Sequence, residues 1–230
     1  MRRNRTLWIL LIVFFLIFLG TEIYLPGIAT RRLVDIFEQE TEDIQQLDVN
    51  IASFPALKIF LGRVDHVSIR SQGLLFDDLY VERFNLNYRN IVLSKDSFEG
   101  VNTYFEALVT QDALNDYLKE KYPELGTFLL EINPEQILLQ GEIKVLQASF
   151  NLQLSGNLLV NDKNQIYFVP DNFQVEDINI PVNFLKSYIE GLAFVIDLQT
   201  LDIPLNVDEI QIGPEYILIT GEEKDGDVNE

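Results

Sequence analysis

An unbroken apolar run from Leu7 to Leu19, set behind Arg2, Arg3 and Arg5, constrains this chain more than any other feature. At 1.5 Å per residue the run covers about 20 Å, short of the roughly 30 Å hydrocarbon core of a bilayer. Carried on to Leu25 it reaches about 28 Å and takes in Gly20 and Glu22, close to the far interface. A short apolar core behind a basic start also fits a secretory signal, but the small-x-small cleavage pattern is missing, and the best position, around Pro26-Gly27-Ile28-Ala29, is poor. Residues 1–27 are therefore read as a membrane anchor spanning with residues 7–25, with a cleaved signal as the alternative. Both send the remainder out of the cytoplasm. Three arginines before the segment against Arg31 and Arg32 after it favour a cytoplasmic N-terminus and an extracytoplasmic main domain.

About 200 residues remain, enough to hide on the order of 70% of their unfolded surface. They are read as one domain over residues 28–221, followed by an acidic, disordered tail over 222–230, EEKDGDVNE. There is no cysteine, hence no disulfide framework and no thiol chemistry. Taking the three arginines and one glutamate of residues 1–25 from totals of 17 basic and 36 acidic side chains leaves 14 against 35. A domain this acidic has no basic stripe for nucleic acid, and an anionic lipid surface repels it. Any lipid it handles must be held by apolar burial.

The periodicities predict an α+β chain. A helix is expected from Thr30 to Gln46, with Leu33, Ile36, Phe37, Ile44 and Leu47 on one stripe. Strands are expected at LDVNIAS and VDHVSIR, separated by a short apolar helix in FPALKIFLG that opens at Pro55 and closes at Gly62. In LYVERFNLNYRN the apolar phase steps by three residues from Val81 to Phe84, which suggests a bulge. TQDALNDYLKEKYP carries a Thr110 N-cap, a Leu114/Tyr117/Leu118 stripe, lysines in the last turn and Pro123 as a stop. From Phe128 to Val175 strands dominate, punctuated at Asn133-Pro134, Asn161–Asn164 and Asp171-Asn172. A broadly apolar helix is expected over 183–197, and two strands, LNVDEIQI and YILITG, close the domain. PEQILLQG and PEYILITG echo one another, as two similar hairpin edges or a duplicated element.

Catalytic constellations are absent. His66 is the only histidine, on the expected solvent face of its strand, so a multi-histidine metal site is impossible. No nucleophile elbow, phosphate loop or dinucleotide fingerprint occurs. No metal and no cofactor is expected, and an enzyme, a carboxylate-based hydrolase, is the minor alternative. Sixteen Phe and nine Tyr lie on both strand and helix faces. Strands with an apolar inner face and a helix along them make an elongated apolar groove, and each buried methylene of an acyl chain contributes about 0.8 kcal/mol.

The stretch SFPALKIFLGRVDHVSIRSQGLLFDDLYVERFNLNYRNI resembles the opening of the LmeA-like phospholipid-binding proteins. The residues that carry the likeness are Pro55, Leu57, Gly62, Val67, Ile69, Gly73, Leu74 and Leu79. VTQDALNDYL is similar to the family's Thr-capped helix, and LDIPLNVDEIQIGPEYILITG to its closing strands, so the resemblance covers most of residues 28–221. It implies a bacterial, exported, membrane-associated, β-rich domain that binds phospholipid. The expected fold is α+β: a curled antiparallel β-sheet around helices at 30–46 and 183–197, with a tubular apolar groove, behind an N-terminal transmembrane helix. Candidate lining residues are Phe37, Phe54, Leu57, Phe60 and Leu61 at the membrane-proximal end, with Leu185, Ile189, Leu192 and Val195 on the third helix. The expected function is passive: acyl chains of a phospholipid or related membrane lipid enter the groove. A non-catalytic envelope scaffold with a filled core is the alternative.

Overall fold

The first element, α1, is one helix from Arg2 to Glu40, so the apolar run and the amphipathic segment after it form a continuous rod. Pro26 lies inside it, and no break separates the apolar run from the amphipathic segment. Over Leu7–Asp35 the helix is long and apolar enough to cross a membrane, a property that a signal sequence shares. Its side chains are exposed from Leu7 to Ile17, whereas Leu25 is buried and Ala29, Leu33 and Val34 pack on the core. The structure, a computed structural model, describes residues 2–40, 44–76, 78–93, 98–125, 127–145, 148–161, 165–176, 178–180, 194–197 and 207–222. Residue 222 of the expected disordered tail, Glu222, ends the last strand and pairs with Tyr104, while the rest of that tail and most of the expected third helix lie outside these residues.

Strands follow as β1 (Gln46–Ala52), β2 (Arg63–Phe76), β3 (Leu79–Leu93) and β4 (Phe98–Thr110). After α2 (Gln111–Lys121) come β5 (Leu129–Asn133), β6 (Gln136–Val145), β7 (Ala148–Val160), β8 (Gln165–Val175) and β9 (Ile178–Ile180), then β10 (Val195–Asp197), β11 (Glu209–Gly213) and β12 (Tyr216–Glu222). They form two antiparallel sheets, β1-β2-β3-β4-β12-β11 and β10-β8-β7-β6-β5, with β9 also on β8. The fold is therefore α+β, built of two sheets rather than one. Apolar side chains from both and from α2, among them Phe84, Leu86, Phe105, Leu114, Leu118, Leu139, Phe168 and Ile217, make one continuous core.

Several expectations change. Gln46 already pairs with Gln72 as the first residue of β1, so the expected helix to Gln46 ends sooner. The three-residue step from Val81 to Phe84 is real, but β2 and β3 keep one register across it: Leu74 faces Val81 and Ser71 faces Phe84. Both strands change phase together there, with Gly73 at φ 70°, a left-handed conformation that glycine adopts without a Cβ penalty. The register shifts lie elsewhere, between β3 and β4 around Arg89. Asp171-Asn172, expected as a loop, runs inside β8, and β4 occupies a stretch for which no strand is expected from the sequence. The two PE-x-I-L segments are the turns and second strands of matching hairpins, β5–β6 and β11–β12, which lie against each other where Glu215 N–H donates to Ile132 O at 3.4 Å.

The 183–197 helix is corrected at its end, where Val195–Asp197 is a strand antiparallel to β8. Its outward edge is satisfied by side chains. Tyr122 Oη donates to Val195 O at 2.9 Å and accepts from Val195 N–H at 3.0 Å, while Tyr117 Oη donates to the same carbonyl at 3.1 Å. At the opposite edge of this sheet, α2 supplies Asn115, which bonds both backbone groups of Leu130, and Gln111, whose Oε1 accepts from Ile132 N–H at 2.7 Å. One helix and the residue just past it thus reach both edges of a sheet whose flat width across five strands would be about 19 Å. The second sheet curls round α2, and α2 stops both edges from pairing elsewhere.

Candidate functional site

Four of the candidates, Phe54, Leu57, Phe60 and Leu61, lie on or just before a 3₁₀ helix, Ala56–Leu61, between β1 and β2. A 3₁₀ helix repeats every three residues, so i and i+3 share a column. Ala56 is fully buried and Ile59, three on, packs against the core. Leu57 and Phe60, the neighbouring column, face outward together with Leu61 and with Phe54, which precedes the helix: Phe54 and Phe60 are 71% exposed and Leu61 is 77% exposed. These side chains form an apolar face on the outside of the protein.

Two carboxylates hold this element in place. Glu22 of α1 accepts a hydrogen bond from Ala56 N–H through Oε1 at 2.9 Å, tying the start of the 3₁₀ helix to the rod. Asp65 of β2 accepts from Phe54 N–H at 2.8 Å and pairs with Lys58 Nζ through both oxygens at 3.0 and 3.1 Å. The Phe54 hydrogen bond, then Lys58, hold the Asp65 carboxyl below its ordinary value of 3.8. Gly62, at φ 70°, ends the element, its N–H donating to Ile59 O at 3.1 Å. Sequence reasoning missed both anchoring carboxylates. The available signal for Glu22 was its place as the one charge in an apolar stretch.

The other candidates separate. Phe37 lies in the last turns of α1, where the backbone alone is described. Leu185, Ile189 and Leu192 fall outside the described residues. Val195 is half-buried in β10, beside Phe194, whose ring stacks on Phe168 with centroids 5.7 Å apart. β9 pairs with β8 at Phe173–Val175 and β10 at Gln165–Tyr167, so residues 181–194 join two strands that pair with the two ends of β8. An open depression of about 370 Å³ on the second sheet is lined by Leu129, Gln140, Gly141, Glu142, Asn151, Leu152, Gln153 and Glu176, a polar surface ill-suited to acyl chains. Among the described residues no cluster of three or more His, Asp or Glu side chains is placed to hold a metal ion.

Two curled antiparallel sheets share one apolar core behind a long apolar helix. Residues 20–222 match the LmeA-like phospholipid-binding family, and the chain belongs to it. The match takes in both sheets, α2 and the second half of α1. No curated protein and no solved structure matches the chain.

Proposed function

We propose that this protein is a membrane-anchored, extracytoplasmic phospholipid carrier that holds acyl chains in the apolar interior between its curled sheets, without catalysis. The observation that carries this is the family match over residues 20–222, which spans every element that builds the interior. Residues 1–27 anchor it, with the N-terminus in the cytoplasm, and residues 28–221 are the lipid-binding domain. Ten buried methylenes would contribute about 8 kcal/mol before ordering costs, so such a site needs no cationic head-group clamp. That agrees with an acidic chain that belongs to a phospholipid-binding family.

Within this proposal the chains enter near residues 181–193, and Leu185, Ile189, Leu192 and Val195 contact them. Titration with a phosphatidylcholine carrying a fluorophore on its acyl chain tests it. Binding should saturate at one lipid per chain, be displaced by unlabelled phospholipid and be unaffected by glycerophosphocholine, which has no acyl chains. Leu192→Arg should abolish saturation and leave the melting temperature unchanged. Unfolding of that variant would instead make Leu192 a packing residue and leave the scaffold alternative.

A further inference from the structure

We infer that the outward face of the 3₁₀ helix, Phe54, Leu57, Phe60 and Leu61, is a second membrane contact that sits in the outer leaflet beside α1 and holds the domain against the bilayer. This rests on the proposed anchoring by α1. Four large apolar side chains on one six-residue element and its flank are too concentrated for a surface facing only water, and a lipid surface is the partner their chemistry fits. Length fixes their depth. The exposed apolar stretch Leu7–Ile17 accounts for only about 16 Å, so a hydrocarbon core of roughly 30 Å that starts at Leu7 reaches about as far as Pro26. Glu22 lies a turn short of that boundary, and its Oε1 holds Ala56 N–H at 2.9 Å. The 3₁₀ helix is about 12 Å long, so its far end lies no more than about 12 Å from that level. On α1 itself Ile23, Tyr24 and Ile28 are exposed at this height, a second apolar arc with a tyrosine where interfaces favour one. The bond to Ala56 also gives Glu22 a partner in a layer where an unpaired carboxylate is costly.

The absence of cysteine allows a single probe to be placed at will. In the full chain reconstituted in phosphatidylcholine vesicles, a nitrobenzoxadiazole probe on Leu61→Cys should be quenched by shallow spin-labelled lipid and shielded from aqueous iodide. The same probe on Leu159→Cys, exposed on β7 away from the 3₁₀ helix, should be open to iodide. Trp8, the only tryptophan, reports separately on α1. Trp8 and the residue-61 probe both quenched by lipid support the contact. Trp8 quenched by lipid with residue 61 as open to iodide as residue 159 overturns the contact and spares the anchor. Trp8 open to iodide overturns both.

Discussion

Asn115 and Leu130 exchange two hydrogen bonds, Leu130 N–H to Asn115 Oδ1 at 2.8 Å and Asn115 Nδ2 to Leu130 O at 2.9 Å. A side-chain amide thereby occupies the place of the next strand on β5, with both residues buried. Replacing it with Leu keeps the volume and leaves a buried N–H and C=O unpaired, at about 1–3 kcal/mol each. Asn115→Leu should therefore lose about 3 kcal/mol and melt roughly 6–12 °C lower, and Asn115→Asp, which keeps the acceptor, should fall between. A thermal melt that Asn115→Leu leaves unmoved would show that β5 finds other partners.

The tyrosines at the other edge are unequal. Tyr122 Oη serves both the N–H and the C=O of Val195, whereas Tyr117 shares the carbonyl alone. Tyr122→Phe should raise hydrogen exchange at the Val195 amide roughly tenfold, the equivalent of about 1.4 kcal/mol, and Tyr117→Phe should change it little. Equal effects would mean that the hydroxyls do not hold β10 individually.

Gly156 tests the packing of β7 on β8. A Cβ there would collide with Val169 O and lie 2.7 Å from Pro170 Cα, where the register shifts and a proline sits in the strand. Gly156→Ala must push backbone aside, and should destabilise the chain by about 1–3 kcal/mol in denaturant unfolding. A neutral result would mean that the irregularity at Ser155/Gly156 can relax at no cost.

The sign of the pH dependence at Asp65 follows from its hydrogen bonds. Its carboxyl titrates lower folded than unfolded, so its contribution is present above about pH 4 and is lost as pH falls through the folded value. Amide exchange at Phe54, corrected for its intrinsic rate, should speed up in acid below that point. In Asp65→Asn the corrected rate should be fast and flat over the same range. Identical profiles would remove Asp65 as the residue that holds the 3₁₀ helix.

Local signals were legible where one residue type has one use. Thr110 caps α2, accepting from Ala113 N–H at 3.3 Å, and Leu114, Tyr117 and Leu118 are buried as their spacing required. Gly62 closes the 3₁₀ helix, and Val49 and Ile51 face the core. Non-local choices were not legible. FVID has helical spacing as part of a longer apolar run, but tertiary partners on β8 and two tyrosines make its last three residues a strand. The run ending in VNTYFEALV holds β4, where Phe105, Ala107 and Val109 point inward, yet its first half carries no clear alternation. Phe54, Phe60 and Leu61 are legible in the sequence as apolar, and apolarity alone cannot tell a side chain that faces a cavity from one that faces out.

The central claim is that this chain carries phospholipid, and direct chemical identification of what it holds tests that claim best. A chain starting at Gly20 keeps Glu22 on Ala56 and Leu25 in its buried place while dropping most of the exposed apolar rod. Purified without detergent, extracted with organic solvent and analysed by mass spectrometry, it should yield one phospholipid per chain. A folded, monodisperse chain that yields no lipid would contradict the account and leave a packed scaffold domain in its place.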